Sequence, residues 1–210
     1  MLEVRKRTRK LRAIVADTSL RILTPKSYKE IQKNRENYTA VFSTKYPRPS
    51  TKLIHGIYGE KPLVGVEIGT GFGENALSLL HELSIEKLYC VDPFVPYDDG
   101  VDKNQADYSS KSECTLKLLS RYKNVSFIRK DSSEAVKEIC ETVDFVYVDG
   151  NHAYDFVLAD LENYYPIINE RGVIAGHDLD WPSVRKALND FCKMSKITPI
   201  LWPPDWIIVK

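Results

Sequence analysis

The most constraining feature of the chain is residues 63–76, which read LVGVEIGTGFGENA. The β-branched residues in the first half suit a buried strand. Gly69, Gly71 and Gly73 then remove Cβ atoms where the backbone must turn sharply and a ligand can approach closely. Apolar residues at helical spacing continue to residue 83, so this stretch predicts a strand, a glycine loop and a helix. Such a unit binds nucleotide-like ligands at the carboxyl edge of a parallel sheet.

The spacing of the glycines narrows the class of ligand. A dinucleotide fingerprint needs glycine at the first, third and sixth positions, and the sixth position counted from Gly69 is Glu74. The Walker phosphate-binding pattern also fails, because no Gly-Lys-Ser/Thr follows. Glu67 lies two residues before the first glycine, and Glu74 stands at the start of the helix. The alternative is a tight strand-to-helix turn without a ligand.

Length and composition bound the architecture. A chain of 210 residues with 43% hydrophobic and 28% charged residues predicts one α/β domain preceded by an extension. No apolar run approaches the roughly 20 residues that span a bilayer, and no apolar signal core follows the basic N-terminus. The four cysteines are scattered without a CxxC pair, which is typical of reduced thiols. These features predict a cytoplasmic protein without a membrane span.

Charge is distributed unevenly along the chain. Residues 1–50 contain 13 Lys and Arg against 4 Asp and Glu, a net charge of +9, whereas the remainder carries −8. We therefore divide the chain into a basic, partly helical extension at 1–51 and a domain at 52–210. A basic arm of this kind can bind nucleic acid, an anionic surface or the acidic face of its own domain, and the alternative is a solvated terminus.

A carboxylate follows the second predicted strand, residues 87–91. Asp92 lies 25 residues after Glu67, a separation that suits one helix and a return strand. A carboxylate in this position can accept hydrogen bonds from both hydroxyls of a ribose. The alternative role is a turn-forming Asp before Pro93. The polar residues 95–110 are long for a plain connection and predict part of a lid.

Two later strands also end in polar residues. Residues 143–148 are the most apolar stretch and predict the central fourth strand, while residues 173–176 predict the fifth. The polar residues at their ends are Asp149 and His152 after the fourth strand and His177 and Asp178 after the fifth. Because the carboxyl ends of parallel strands meet at one edge of a sheet, we expect these four side chains in the same crevice.

The remaining elements are assigned from turn composition and periodicity. Residues 43–51 predict a Pro-rich loop, residues 125–129 the third strand and residues 169–172 a turn. The closing strands, residues 197–201 and 206–209, are joined by only four residues, so we expect an antiparallel pair.

Taken in order, these features resemble the class I S-adenosylmethionine-dependent methyltransferases over residues 52–210. The resemblance implies a Rossmann-like α/β fold, in which a seven-stranded, mostly parallel sheet has an antiparallel last strand and helices on both faces. More narrowly, the motifs VDGNHAYDFVLADL and GVIAGHD resemble the small-molecule O-methyltransferase branch, with its catechol, caffeoyl-CoA and macrolide-sugar enzymes. The implied activity is transfer of a methyl group from S-adenosylmethionine to a small-molecule acceptor, at a hydroxyl oxygen.

The resemblance also implies a cofactor site. In this family an acid after the third strand faces the adenine amino group, and Asp131 matches it, with Ser132 as its neighbour. The alternative role for this pair is capping the next helix. The implied cofactor-binding residues are Glu67, Gly69, Thr70, Gly71, Gly73, Asp92, Asp131, Ser132 and Asp149.

Several members of the branch hold a divalent cation at the ends of the fourth and fifth strands. Asp149 matches the first ligand, but the usual Asp-Asn pair is replaced here by His177 and Asp178. A set with His favours Mn²⁺, Fe²⁺ or Zn²⁺ over Mg²⁺. Removal of the acceptor proton needs a base, for which His152 and His177 are the candidates, unless His152 only orients Asp149.

Three rival functions are compatible with parts of the sequence. The first is a nicotinamide-dependent oxidoreductase on a similar fold, although Glu74 and the closing strands speak against it. The second is a nucleic-acid methyltransferase that uses the basic arm, and the third is a catalytically inactive binding module. The partner we expect is a small-molecule methyl acceptor rather than nucleic acid, and a homodimer is left open.

Overall fold

A computed structural model of the chain describes residues 47–96 and 108–210. Its centre is a seven-stranded sheet in the order β3-β2-β1-β4-β5-β7-β6. All neighbouring strands are parallel except for β7, which runs antiparallel to both β5 and β6. The strands are β1 (Leu63–Ile68), β2 (Ile85–Val91), β3 (Val125–Ile128), β4 (Val143–Val148), β5 (Ile168–Gly176), β6 (Ile200–Trp202) and β7 (Asp205–Val209).

Helices cover both faces of the sheet. They are α1 (Pro49–Tyr58), α2 (Glu74–Glu82), α3 (Tyr108–Leu119), α4 (Ser132–Ala135), α5 (Tyr154–Tyr164) and α6 (Pro182–Ser195). Because side chains alternate along a strand, β4 sends Phe145 and Tyr147 into a core with α1, α2 and α3. Val146 and Val148 face the opposite core, formed with α5 and α6. The continuous apolar run of this strand therefore reflects burial on both faces.

The register aligns the ends of the central strands. Ile68 of β1 pairs with Val91 of β2 and with Val148 of β4, and Val148 pairs with Gly176 of β5. The loops that follow these four strands therefore start at the same level of the sheet. The predicted fold class, a seven-stranded mixed sheet of the methyltransferase type, is confirmed.

Some local predictions were wrong. Residues 169–172 form a bulge inside β5 instead of a turn, because Val143 pairs with Ile168 while Phe145 pairs with Val173. Arg171 adopts a left-handed conformation in this bulge, with φ of 65°. The loop predicted at 43–51 gives way to α1 at residue 49, where proline suits the first helical position.

Other predictions fall partly outside the described residues. The basic extension, placed at 1–51, lies outside them up to residue 46, and the proposed lid lies outside them from residue 97 to 107. The boundary between extension and domain stays a prediction. Within the ranges 47–96 and 108–210, no helix combines the length and apolar character needed to cross a membrane.

Candidate functional site

A cavity of about 800 Å³ opens at the carboxyl ends of the central strands. This volume lies in the range of small-molecule and cofactor sites. The predicted site residues that line it are Gly69, Thr70, Gly71, Asp92, Asp131, Ser132, Asp149, His152, His177 and Asp178. Glu67 and Gly73 lie behind its wall, in β1 and at the start of α2.

The glycine loop between β1 and α2 forms one wall of the cavity. A Cβ on Gly69 would lie 2.1 Å from the carbonyl oxygen of Asp149, and φ at Gly69 is +83°. The loop after β1 therefore packs directly against the loop after β4. Gly71 differs, because a Cβ there would meet no atom within 4 Å. The space beside Gly71 is thus open on the side of the cavity.

Asp92 follows β2 and also faces the cavity. Its Oδ2 accepts a hydrogen bond from the Gly71 amide at 2.8 Å, and its Oδ1 accepts one from the Phe94 amide at 2.7 Å. Burial raises the pKa of Asp92, although both amide contacts oppose the rise. A carboxylate has about four acceptor sites, so each oxygen can accept a further bond from a ribose hydroxyl.

Glu67 is fully buried in β1, where its Oε1 accepts a hydrogen bond from Asn75 Nδ2 at 2.9 Å. Burial raises its pKa to about 8, and the charges of Asp149 and Asp92 add to the rise, whereas Asn75 and Thr70 oppose it. At neutral pH the carboxyl group is therefore mostly protonated. In that form it accepts the bond from Asn75 of α2 without adding a second negative charge near Asp92.

This buried carboxyl group predicts a pH-dependent stability. Its pKa rises from 4.5 to about 8 on folding, so the unfolded state loses its proton first as pH increases. The stability that this carboxyl group contributes to the folded state is fully present below pH 4.5 and is lost as pH rises through 8. Urea denaturation at pH 5 and at pH 8 measures the effect. Between these two pH values, the free energy of unfolding of the wild type should fall by on the order of 3 kcal/mol more than that of Glu67→Gln. Parallel curves for the two proteins would contradict the assignment.

Asp131 and Ser132 mark the far end of the cavity. Asp131 makes no side-chain cap bond to α4, although its carbonyl oxygen accepts the amide of Ala135 at 2.8 Å. Its side chain is exposed at the cavity wall, as an adenine contact requires. Sequence reasoning missed Asp160 on α5, which is only 3% exposed and lines the cavity beside Ser132. Burial raises the pKa of Asp160 to about 7, with the Ser132 hydroxyl opposing the rise.

At the other end of the cavity, β4 and β5 bring two carboxylates and two histidines together. His152 Nε2 lies 2.8 Å from Asp178 Oδ2 and 3.9 Å from Asp149 Oδ1. His177 Nδ1 lies 3.0 Å from Asp178 Oδ1 and 3.8 Å from Asp149 Oδ1. The ring of His152 packs on Trp181 at a centroid distance of 4.3 Å. The crevice predicted from the sequence therefore contains all four side chains.

These contacts determine the protonation of His152 and Asp178. Burial lowers the pKa of His152, but its contacts with Asp149 and Asp178 outweigh burial and raise it to about 10. Burial raises the pKa of Asp178, but both histidines outweigh it and hold that pKa well below its usual range. His152 is thus an imidazolium at neutral pH and Asp178 a carboxylate.

Arg48 joins this cluster from the start of α1, and sequence reasoning missed it. The residue is 5% exposed. Its Nη1 contacts His177 Nε2, and its Nη2 lies 3.5 Å from Asp149 Oδ2. The side chain reaches the site because Asp205 of β7 anchors α1, accepting bonds from the Ser50 amide at 3.0 Å and the Ser50 hydroxyl at 2.6 Å.

The contact with Arg48 fixes the tautomer of His177. A guanidinium group can only donate hydrogen bonds, so His177 Nε2 must accept through its lone pair. The ring proton then lies on Nδ1, from which it is donated to Asp178 Oδ1 at 3.0 Å. In this tautomer the Nε2 lone pair of His177 faces Arg48.

The cluster has the spacing of a metal site, but it already contains the positive charge of Arg48. Ligand atoms of Asp149, His152 and Asp178 lie within 4.8 Å of one another, a set that includes His152 in place of the predicted His177. However, the Arg48 guanidinium already lies 3.5 Å from the Oδ2 atom of Asp149, one of these three residues. A divalent ion at the same carboxylate would be repelled by this buried cation, so the arrangement does not fit a metal ion. The predicted set of Asp149, His177 and Asp178 stays a prediction, tested below.

Comparison with known proteins identifies the family of the chain. The family model described as "Methyltransferase domain" matches residues 66–179, more than half of the chain. An uncharacterized protein, R132, of Acanthamoeba polyphaga mimivirus is 30% identical over 138 residues, which cover 60% of this chain and 58% of R132. The chain thus spans less than two thirds of that relative.

Solved structures share the fold at low sequence identity. A provisionally named caffeoyl-CoA O-methyltransferase from Staphylococcus aureus is 13% identical, with a TM-score of 0.66 over 95% of this chain and 100% of that one. SMU.1697c from Streptococcus mutans, solved in complex with SAH, is 17% identical, with a TM-score of 0.59 over 78% and 98% of the two chains. The chain belongs to the methyltransferase-domain family and has the class I methyltransferase fold.

Proposed function

We propose that the chain transfers a methyl group from S-adenosylmethionine to a hydroxyl oxygen of a small-molecule acceptor. The observation that carries this proposal is one cavity with two chemically different ends. Asp92 and Asp131 follow β2 and β3 on one side of the glycine loop, and Asp149 and His177 follow β4 and β5 on the other side, where Arg48 joins them. S-adenosylmethionine supplies an electrophilic methyl group on a sulfonium sulfur.

The residues at the first end fit a nucleoside. Asp92 presents a carboxylate with acceptor sites left for the two ribose hydroxyls. The open space beside Gly71 leaves room for the body of the cofactor. Asp131 places an acceptor at the wall where the adenine amino group would donate, and Ser132 lies next to it.

His177 is our candidate for the general base. Asp178 holds the proton on Nδ1, so the lone pair of Nε2 faces Arg48 Nη1, which the acceptor hydroxyl has to replace. The acceptor hydroxyl gives its proton to this Nε2, and its oxygen bonds to the methyl carbon while the electrons of the carbon–sulfur bond stay on sulfur. A positioned base of this kind contributes roughly 10²–10⁴-fold to the rate.

His152 has a different task in this proposal. As an imidazolium between Asp149 and Asp178, it cannot accept another proton at neutral pH. It neutralises and orients the two carboxylates, and its packing on Trp181 fixes the ring. This role corresponds to the orienting alternative for His152 and leaves only His177 of the two candidate bases.

The size of the acceptor is inferred from access to the cluster. The side chains of Arg48, Asp149, His152 and His177 are each exposed by one fifth or less. The acceptor must therefore bring its hydroxyl group into the cavity to reach these side chains, which favours a small molecule over a folded nucleic acid. The nucleic-acid alternative depends on the basic arm, which lies outside the described residues up to residue 46.

Ligand-induced thermal stabilisation tests the cofactor assignment. With S-adenosylhomocysteine at 100 times its Kd, binding adds about 2.7 kcal/mol and should raise the Tm by about 5 °C or more, whereas NAD should leave it unchanged. Asp92→Ala should remove most of this shift, because its side chain provides the ribose acceptors.

The exposed Asp180, which does not line the cavity, provides a matched control as Asp180→Ala. A Tm shift with NAD alone would favour the oxidoreductase. An undiminished shift in Asp92→Ala would exclude the ribose role of Asp92.

A further inference from the structure

We propose that Arg48 provides the cation of the acceptor site, so that the ends of β4 and β5 do not take up a divalent metal ion. This inference rests on the proposed function, because it assigns a charge to the acceptor end of the same cavity. It concerns a residue outside the strand-end motifs that predicted the site.

The first step is the location of the guanidinium. Arg48 Nη2 lies 3.5 Å from Asp149 Oδ2, and Nη1 contacts His177 Nε2. Asp149 and His177 are two of the three residues predicted to hold a metal. A permanent positive charge thus contacts two of the predicted ligands, with its side chain 6% exposed.

The second step is that this position is built into the fold. Arg48 directly precedes α1 and is flanked by Pro47 and Pro49, whose rings restrict the backbone. Asp205 is fully buried and accepts both bonds from Ser50, as well as one from the Tyr147 hydroxyl at 3.2 Å. The start of α1 is therefore tied to β7 and β4, which brings the arginine to the strand ends.

The third step concerns the acceptor oxygen. The acceptor hydroxyl donates a hydrogen bond to His177 Nε2 only if it replaces Arg48 Nη1 at that atom. Its oxygen then lies next to the guanidinium. Negative charge that develops on the oxygen as its proton leaves is stabilised by this neighbouring cation. Arg48 thereby performs the task of a Lewis acid at this place.

The fourth step is electrostatic exclusion of metal. An ion held by Asp149, His152 and Asp178 would share the Asp149 carboxylate with the guanidinium. The metal ion and the guanidinium would repel each other across one carboxylate, and their buried location reduces screening by solvent and salt. Removing the arginine charge should therefore create a metal site that the wild-type protein lacks.

A manganese titration of the full-length protein tests the inference, with free Mn²⁺ followed by electron paramagnetic resonance. We compare the wild type with Arg48→Gln, which removes the charge, and Arg48→Lys, which keeps it. Arg121→Ala, at an exposed arginine beyond α3, is the control. We expect Arg48→Gln to bind one Mn²⁺ at least tenfold more tightly than the other three, a gain of about 1.4 kcal/mol.

Two results would overturn the inference. One is stoichiometric Mn²⁺ binding by the wild type at micromolar concentrations, which is decisive even if Arg48→Gln fails to fold. The other is equal Mn²⁺ affinity in folded Arg48→Gln and wild type. S-adenosylhomocysteine binding is measured in parallel and should persist in every variant. If neither the wild type nor any variant bound S-adenosylhomocysteine, that result would contradict the proposed function. The manganese titration would still decide the role of Arg48.

Discussion

Replacing His177 with alanine should lower kcat by roughly 10²–10⁴-fold while leaving the affinity for S-adenosylhomocysteine unchanged. The variant removes the lone pair of Nε2, which is the only acceptor that we assign to the departing proton. His177 follows β5, on the other side of the glycine loop from Asp92 and Asp131, so product binding should persist. The measurement is methyl transfer to an acceptor found by screening hydroxyl-bearing small molecules, together with calorimetry of S-adenosylhomocysteine binding.

His55→Ala is the matched control for this variant. His55 is exposed on α1 and does not line the cavity, so its loss should leave kcat within about twofold of the wild-type value. A comparison with His152→Gln separates the two histidines of the cluster. If His177→Ala kept its rate while His152→Gln lost it, the base would be His152 and the tautomer argument would be wrong.

The second large effect concerns the glycine loop. Gly69→Ala should lower the free energy of unfolding by about 3 kcal/mol or more, since its Cβ would lie 2.1 Å from the carbonyl oxygen of Asp149. The carbonyl carbon of Asp149 and the Cα of Gly150 would also lie within 2.6 Å, so the clash involves backbone that cannot rotate away. Urea denaturation measures the loss.

Gly71→Ala is the control within the same loop. Its φ of +55° is also left-handed, but its Cβ would meet no atom, so the cost should be only about 1–2 kcal/mol. Because that methyl group lies beside open cavity, the variant should weaken S-adenosylhomocysteine binding more than its stability loss suggests. Equal destabilisation of the two variants would contradict the close contact between the loops after β1 and β4.

The fold was predictable because its strongest signals are local. The apolar run at residues 143–148 has the bounds of β4, and the glycine loop occupies the predicted place between β1 and α2. Acids at strand ends were predictable for the same reason, since parallel strands bring their carboxyl ends together. Asp92 and Asp149 therefore line the cavity as expected.

Arg48 could not be predicted from its surroundings in the sequence. It lies 101 residues from Asp149 and 129 from His177, and it reaches them only because Asp205 holds Ser50. A Pro-Arg-Pro segment indicates a loop by composition, whereas the buried carboxylate of β7 decides where that segment lies.

The chemistry of the histidines likewise depends on distant partners. The sequence placed His152 and His177 at two strand ends, but it could not distinguish a protonated ring from a neutral one. His152 is charged because two carboxylates from different loops contact it, whereas the ring of His177 lies between Arg48 and Asp178. The bulge in β5 escaped prediction in the same way, since Asn-Glu-Arg-Gly is turn-like in isolation.

The most direct test of the central claim is isothermal titration calorimetry of the wild-type protein with S-adenosylhomocysteine. The account predicts saturable binding of one ligand per chain, which Asp92→Ala weakens and Asp180→Ala does not. No detectable heat at millimolar ligand, together with an unchanged Tm, would contradict a cofactor cavity at the ends of β1, β2 and β4.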